Sequence, residues 1–242
     1  MSGIKKEMNF FIPTNCVGYK DYIRPSGIMD ILQDIAGIHA CELGCGYLDL
    51  LKRNLIWVVL YTRVDIIGEL PKFSDIVKVE TWPKAPTTLE HDREYQMSDL
   101  NNNVILTGLS KWVLLDSNTH RVKRASEVNM GCKYYDSVIY NEKLPRRLNN
   151  SSDKYDKEID YKIRLSDLDH NGHMNNARYL DMIYEADVSN KKKIKSIEIS
   201  FINEAHYNDT VHVCYYKNNE YDNYIGFVNN EPSFEARFKV EE

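Results

Sequence analysis

The hydrophobic positions in the first half of the chain predict one long helix followed by a series of strands. Five aliphatic side chains after the Pro-Ser-Gly at 25–27 recur at helical spacing and predict one apolar face: Ile28, Ile31, Leu32, Ile35 and Ile38. An extended stretch at 10–19 should precede this helix, which should end at Gly44 or Gly46. A short amphipathic segment at 47–52 leads into strands at 55–67, 76–82, 89–99 and 104–116.

The second half repeats this order of elements. Between 119 and 156 the pattern gives way to charged and Asn/Ser-rich sequence, which is typical of a linker. After it we expect a strand with Tyr161, Ile163 and Leu165 on one face, a helix from about Asn176, and four more strand-like runs. The chain is therefore predicted to form two lobes, 1–118 and 157–242, joined by a linker at 119–156.

A strand, a long helix and a run of antiparallel strands, occurring twice, indicate an α+β fold. Each lobe would wrap a curved antiparallel sheet around its central helix. Two such lobes in one chain form a pseudo-dimer, and a homodimer of the whole chain remains an option.

Composition narrows the function classes. The 242 residues are 43% hydrophobic and 28% charged, which is ordinary for a folded globular protein. A formal net charge of −5 argues against a nucleic-acid partner, which needs a basic footprint. No run approaches the ~18–20 apolar residues that cross a bilayer, and the first residues lack an apolar signal segment, so we expect no membrane partner. Five cysteines, an odd number, fit a reducing compartment, and we expect a cytoplasmic location.

The segment at 166–176, between the first strand and the helix of the second half, is the candidate for chemistry. Its sequence, SDLDHNGHMNN, holds more hydrogen-bonding Asp, Asn and His side chains than a simple turn needs. Asp169, Asn171 and His173 are spaced by two, so in an extended run their side chains would point the same way. The helix that follows offers free N–H groups and a positive dipole end, which suit an oxygen that gains negative charge.

A structural turn or a transition-metal site could also account for this segment. Asn175 or Asn176 could cap the helix while the remaining side chains form an Asx-turn. His170 and His173 with Asp169 could bind a transition metal, but the neighbouring sequence offers no third strong ligand.

A calcium loop is the third rival. Asp167-x-Asp169-x-Asn171-Gly172 matches the first half of an EF-hand loop. The twelfth position of such a loop needs a bidentate glutamate, and Arg178 stands there. A cation in place of the ligand argues against calcium.

The stretch at 166–179 resembles the motif of plant and bacterial acyl-ACP thioesterases, in which Asp-x-Asn-x-His precedes the helix of the second hotdog lobe. Blocks in the first half resemble the same family in the same order: Leu55-Ile56-Trp57-Val58-Val59, Glu80-Thr81-Trp82-Pro83, Arg93-Glu94-Tyr95, Ser110-Lys111-Trp112-Val113 and Thr119-His120-Arg121-Val122-Lys123-Arg124. The similarity runs from about Asn9 to Val240. It implies two tandem hotdog lobes, with the acyl chain in the first and the chemistry in the second.

The resemblance also implies a catalytic set, Asp169, Asn171, His173 and Glu204. Glu204, with Asp169, would hold and deprotonate a water, either directly or by orienting His173, while Asn171 and backbone N–H groups polarise the carbonyl. Plant members have a cysteine after the glutamate, but here the residue is Ala205, which puts a thiol mechanism in doubt. We expect no cofactor and no metal.

The implied reaction is hydrolysis of fatty acyl-acyl carrier protein (acyl-ACP) to free fatty acid and ACP, which ends chain elongation. A hotdog enzyme acting on acyl-CoA, as hydrolase or hydratase, is the alternative, and a non-catalytic acyl-binding protein is a third hypothesis. The helix at 28–43 would line the acyl tunnel, for example through Ile31 and Ile35, although the same residues are typical of a core. Acidic ACP should dock on one of three basic clusters: Arg121 with Lys123 and Arg124, Lys143 with Arg146 and Arg147, or Lys191, Lys192, Lys193 and Lys195.

Overall fold

The computed structural model describes residues 5–18, 21–130, 134, 139–186, 193–218 and 220–241. The first half contains strand β1 (Lys6–Phe11), helices α1 (Pro25–Glu42) and α2 (Tyr47–Leu51), and strands β2 (Leu55–Ile66), β3 (Ile76–Pro83), β4 (Glu90–Ser98), β5 (Val104–Asp116) and β6 (Val122–Lys123). The second half contains β7 (Lys157–Lys162), α3 (Asn176–Ala186), β8 (Ile194–Phe201), β9 (Thr210–Lys217), β10 (Tyr221–Val228) and β11 (Glu231–Val240).

All the strands belong to one antiparallel sheet with the order β1-β3-β4-β5-β2-β8-β11-β10-β9-β7, and β6 pairs with β5. From its outer edge inward, the first half runs β1-β3-β4-β5-β2 and the second runs β7-β9-β10-β11-β8. These are the same order in corresponding strands, with a helix before β2 and another before β8. The predicted α+β plan of two equivalent lobes, each with a sheet around a central helix, is confirmed.

The lobe boundaries at 118 and 157 stay a prediction. Within the predicted linker, β6 pairs with β5, and Tyr140 and Leu144 are buried against Tyr61 and Leu109. This part of the linker therefore packs on the sheet of the first lobe.

Helix α1 forms because its aliphatic residues face the core at helical spacing. Ile28, Leu32 and Ile35 are at most 1% exposed, and the helix ends just before Gly44, which adopts a φ of +68°. Ile38, predicted on the same face, is 37% exposed because it lies at the margin of the buried stripe. No helix among the described residues is long and apolar enough to cross a membrane.

Two predicted extended segments are wrong in position. The first strand is Lys6–Phe11, and Thr14–Cys16 forms a short 3₁₀ turn after Pro13, which has no N–H to donate to a ladder. In the second lobe β7 ends at Lys162, and Leu165 is 67% exposed in a second turn.

A buried charged group joins the two lobes where β2 pairs with β8. The Glu198 carboxylate on β8 is 2% exposed and accepts a hydrogen bond from the Tyr61 hydroxyl on β2 at 2.5 Å. Arg237 on β11 donates to the same carboxylate at 2.9 and 3.0 Å. Burial and the neighbouring carboxylate raise the pKa of Tyr61, so its phenol keeps the proton that it donates.

Replacing Glu198 with Ala should therefore lower the free energy of unfolding by about 2–4 kcal/mol, because the buried Tyr61 hydroxyl loses its acceptor and the partly exposed Arg237 loses its ion-pair partner. Denaturant unfolding measures the change. Lys195→Ala, which removes a half-exposed partner of Glu241, is the control and should change stability by less than about 1 kcal/mol. Equal effects of the two substitutions would show that the seam does not depend on this carboxylate.

Candidate active site

The loop between β7 and α3 is closed by the Asp169 side chain. One carboxylate oxygen accepts hydrogen bonds from the backbone N–H groups of Asn171, at 2.8 Å, and His173, at 3.2 Å. The Asp169 N–H donates to the His173 carbonyl at 2.8 Å, and Gly172 takes a φ of +80° that glycine adopts without strain. The segment is thus a tight Asx-type turn.

The expectation of an extended run with Asp169, Asn171 and His173 on one side is therefore wrong. The physical reason is local, since a short carboxylate side chain can reach the N–H groups that follow it and so competes with extended structure. Asn171 nevertheless stays beside Asp169, with its amide donating to the second carboxylate oxygen at 3.3 Å.

His173 is brought to Glu204, which lies 31 positions later in the chain. The Nε2 atom of His173 is 3.3 Å from a carboxylate oxygen of Glu204. Their side chains are 26% and 35% exposed, so both reach solvent. A histidine beside a carboxylate at the surface of a groove can position and deprotonate a water molecule.

The start of α3 is capped by Asn175, whose side chain accepts the Ala177 N–H at 2.9 Å. The Arg178 N–H donates to the Asn175 carbonyl at 2.9 Å. Asn176 is the first helical residue, and its side chain amide donates to Gln33 of α1 at 3.3 Å. Arg178 also pairs with Asp30 of α1. These contacts fix the loop of the second lobe against the helix of the first.

The calcium interpretation fails on Asp167. Its carboxylate is buried and accepts hydrogen bonds from the Arg164 N–H at 2.8 Å and from the Tyr161 hydroxyl at 3.1 Å. Its function is to close the turn before the loop, and Arg178 is occupied by Asp30.

The transition-metal alternative, His170 and His173 with Asp169, is not among the groups whose ligand atoms come together in the described residues. The ring of His170 packs edge-on against Tyr47 with centroids 4.2 Å apart. A different trio, His173, Glu204 and His206, offers three ligand atoms within 4.8 Å of one another. His206 is a residue that the sequence interpretation missed, and its ring packs against His173 at 5.0 Å. Its spacing of two from Glu204 is the signal that could have indicated it.

Two cavities meet at Asp169 and Asn171. A cavity of about 370 Å³ lies between this loop, α1 and strands β2 and β4, with Trp57 and His91 in its wall. A groove of about 830 Å³ is lined by Asp169, Asn171, His173 and Glu204 together. All four predicted catalytic residues therefore face one groove, and two of them also face the cavity.

The cavity wall contributed by α1 is not the one predicted. Ile31 and Ile35 are buried in the main hydrophobic core. The helix lines the cavity with its opposite, smaller and more polar side: Asp30, Gln33, Asp34, Ala36, Gly37 and Ala40. The aliphatic side of α1 packs against the sheet, and the opposite side of the helix forms part of the cavity wall.

Deeper polar side chains of this cavity are neutral or paired. Burial lowers the pKa of His91 to about 4, so its ring is uncharged at neutral pH, and it packs edge-on against Trp57 at 4.8 Å. Asp92 accepts from Lys111 at 3.1 Å, and an Arg93 nitrogen lies 3.0 Å from Nδ1 of His39. An apolar ligand would thus meet no unpaired charge at these positions.

Comparison with known proteins shows to which family the chain belongs. Residues 3–129 match the family model of the acyl-ACP thioesterase N-terminal domain, and residues 150–238 match that of the acyl-ACP thioesterase C-terminal domain. The chain belongs to the acyl-ACP thioesterase family.

Plant thioesterases are among the curated relatives of this family member. It is 29% identical to a palmitoyl-ACP thioesterase of Arabidopsis thaliana over 84% of this chain and 53% of the relative. It is 25% identical to an oleoyl-ACP thioesterase of Coriandrum sativum over 86% of this chain and 62% of the relative. The chain thus spans between about half and two thirds of the length of these relatives.

Solved structures share the fold along the whole chain. An acyl-ACP thioesterase from Bacteroides thetaiotaomicron has a TM-score of 0.86 at 20% identity, with 98% of each chain covered. A 12:0-ACP thioesterase from Umbellularia californica has a TM-score of 0.86 at 21% identity, with 100% of this chain and 98% of that chain covered. These likenesses confirm the double hotdog architecture.

Two substitutions on α1 should separate the core side from the cavity side. Ile35→Trp should lower the free energy of unfolding by about 1–3 kcal/mol through overpacking, since Ile35 is fully buried. Gly37→Ala should instead raise it by about 0.5–1 kcal/mol, because a Cβ at this helical position meets no atom within 4 Å. Thermal and denaturant unfolding measure both, and a destabilised Gly37→Ala protein would contradict the assignment of this side to open space.

Proposed function

We propose that this chain is an acyl-ACP hydrolase that releases a free fatty acid and so ends chain elongation. The observation that carries the proposal is the meeting of the two cavities at Asp169 and Asn171. The cavity would hold the acyl chain, the groove would hold the pantetheine arm of ACP, and the thioester would lie between them. The family membership of the chain supports the same reaction.

The proposed reaction uses water as the nucleophile. Glu204 and His173 hold the water, and one of them takes its proton as the oxygen attacks the carbonyl carbon. Because Asp169 is hydrogen-bonded to the turn, we assign it to hold Asn171 and the His173 backbone in place. Asn171 and the first amide of α3 polarise the carbonyl oxygen. The carbon–sulfur bond then breaks, and the thiolate takes up the proton to leave as the ACP thiol.

No cysteine is needed for this reaction. Ala205 follows Glu204 and is fully buried. Burial raises the pKa of Cys214 to about 11, with further contributions from Glu158 and Asp160, whereas a thiol nucleophile needs a lowered pKa. Cys16, Cys41, Cys45 and Cys214 are free thiols, which supports our further proposal of a reducing, cytoplasmic location.

The deciding experiment incubates the protein with a series of acyl-ACP substrates and follows thiol release. The same acyl groups on CoA form the second arm. Turnover on ACP that exceeds turnover on CoA supports the proposal. Faster hydrolysis of acyl-CoA, or binding of acyl-ACP without thiol release, would assign the chain to the other two classes.

Glu204→Gln and Asp169→Ala should each lower kcat about a hundredfold or more with a modest change in KM. The first removes the carboxylate that holds water, and the second frees the turn that positions Asn171 and His173. Steady-state kinetics on one acyl-ACP measure the effect. Glu185→Gln, an exposed carboxylate on α3, is the matched control, and near wild-type turnover by Glu204→Gln would refute its assignment.

Ala40→Leu should shift the preferred substrate toward shorter acyl chains, because it adds volume to the wall of the proposed acyl cavity. Competition between acyl-ACPs of different length measures the preference. Ile35→Leu keeps the volume of a core residue on the other side of the helix and serves as control. An unchanged length profile in Ala40→Leu would remove this cavity as the acyl site.

The proposed ACP docking surface is the basic cluster next to the groove. Arg121 and Arg124 are exposed, and their neighbours His120 and Val122 line the groove itself. In the second cluster Arg146 also lines the groove, but it is paired with the buried Glu90, and Arg147 is paired with the buried Glu235. In the third cluster Lys191 and Lys192 lie outside the described residues.

Reversing both charges in Arg121→Glu/Arg124→Glu should raise KM for acyl-ACP several-fold and weaken its dependence on salt. KM for a small acyl thioester should stay unchanged, because it needs no docking surface. Lys193→Glu/Lys195→Glu is the matched control from another cluster. If the control raises KM and the first variant does not, ACP docks elsewhere.

A further inference from the structure

A second group of reactive side chains lies on β7 and β9, away from the groove. In the register of this antiparallel pair, Glu158 is opposite Cys214 and Asp160 is opposite His212. Residues two apart on a strand share a face, so all four side chains lie on one face of the ladder. Ile159 and the other intervening residues pack against the core on the opposite face.

His212 contacts both carboxylates, and Cys214 lies close to His212 and Glu158. His212 lies between two carboxylates, with Nδ1 at 2.7 Å from Asp160 and Nε2 at 2.8 Å from Glu158. One oxygen of Glu158, one ring nitrogen of His212 and the sulfur of Cys214 lie within 4.8 Å of one another. Cys214 is only 2% exposed, whereas Glu158 and Asp160 are exposed at the edge of the sheet.

We propose that Glu158, His212 and Cys214 form a zinc-binding site. A thiolate, an imidazole and a carboxylate are the three ligand types that proteins use for zinc. Asp160 supplies the outer contact that zinc-ligating histidines need, because it accepts a hydrogen bond from Nδ1–H of His212. This leaves Nε2, which now lies 2.8 Å from Glu158, as the metal-binding atom of the ring. This arrangement of an orienting carboxylate, a histidine, a thiol and a second carboxylate is what distinguishes the cluster from a chance group of surface acids.

The geometry requires only a small adjustment. Zinc–ligand distances of about 2.0–2.3 Å place tetrahedral ligand atoms roughly 3.5 Å apart. The Glu158 oxygen and Nε2 of His212, now 2.8 Å apart, must therefore separate slightly, while the sulfur of Cys214 lies within 4.8 Å of both and must approach by no more than about 1.3 Å. Glu158 can supply this movement because its side chain is half exposed. Binding releases the thiol proton of Cys214 and the Nε2 proton of His212 to solvent, and water completes the fourth position. The ion would tie β7, an edge strand, to β9.

A catalytic nucleophile or a plain ion pair would place different demands on these side chains. A Cys–His–Asp nucleophile would need the His212 ring to take the thiol proton, but both ring nitrogens already bond to carboxylates at 2.7 and 2.8 Å. A plain ion pair, with imidazolium between Glu158 and Asp160, would need no thiol at all. Dependence on Cys214 therefore separates the metal site from the ion pair.

The test starts from the 242-residue protein, which is dialysed against a chelator and then against buffer without chelator. Zinc titration by calorimetry should show one ion bound per chain at this site, and cobalt should give a thiolate-to-metal charge-transfer absorption. His212→Gln and Cys214→Ser should each weaken zinc binding at least a hundredfold, and Asp160→Asn should weaken it about 10–100-fold. Zinc should raise the Tm of the wild-type protein and not that of the first two variants.

His206→Gln is the matched control from the other possible donor trio, and it should bind zinc like the wild type. Loss of binding in His206→Gln with retention in Cys214→Ser would overturn the proposal and place the ion beside Glu204. A cobalt complex without the thiolate band, or no zinc binding by wild-type protein, would also overturn it.

Because Cys214 is buried, its replacement could impair folding. Glu158→Gln, at an exposed position, provides the second variant, and circular dichroism checks both. The proposed hydrolase activity should persist in Cys214→Ser and Glu158→Gln. If the wild-type protein binds zinc but has no hydrolase activity, only the proposed function is refuted. If it hydrolyses acyl-ACP but binds no zinc, only the proposed zinc site is refuted.

Discussion

The pairing of β2 with β8 is the interaction on which the rest of the structure depends. Each lobe alone would end in an edge strand with unpaired N–H and C=O groups. The five residue pairs from Tyr61 with Ser200 to Asp65 with Ser196 close both edges at once and make one sheet. Glu198 lies in this seam, where a slip of one residue would separate its carboxylate from the Tyr61 hydroxyl and leave that buried donor without its acceptor.

The seam determines where the candidate active site lies. Because the two halves of the sheet are held in one register, α1 and α3 lie side by side. Asn176 contacts Gln33 across the lobes, and Arg178 contacts Asp30. The loop that carries Asp169 comes from the second lobe, while most of the cavity wall comes from the first. Neither lobe would form this site alone, because one contributes the polar loop and the other contributes the space beside it.

Much of this arrangement is local and was accessible from the sequence. The periodicity of Ile28, Leu32 and Ile35 predicted α1, and the strand at 104–116 was predicted with the bounds that the structure has. The residues of the candidate set were named from the motif and from the resemblance that it carries. The two misplaced strand ends also have local causes. Pro13 ends extended structure because it has no N–H to donate, and Asp167 does so because its side chain accepts the Arg164 N–H. Alternation of apolar residues does not reveal either effect.

By itself the sequence determined the order of elements, the two equivalent lobes, the family and the identity of the polar residues. Tertiary structure alone decided which of those residues meet. His173 reaches Glu204, Cys214 lies across from Glu158, and α1 turns Ile35 to the core and Ala40 to the cavity. The reason is that these contacts depend on strand register and helix packing between distant segments, whereas sequence periodicity reports only which face of an element is apolar.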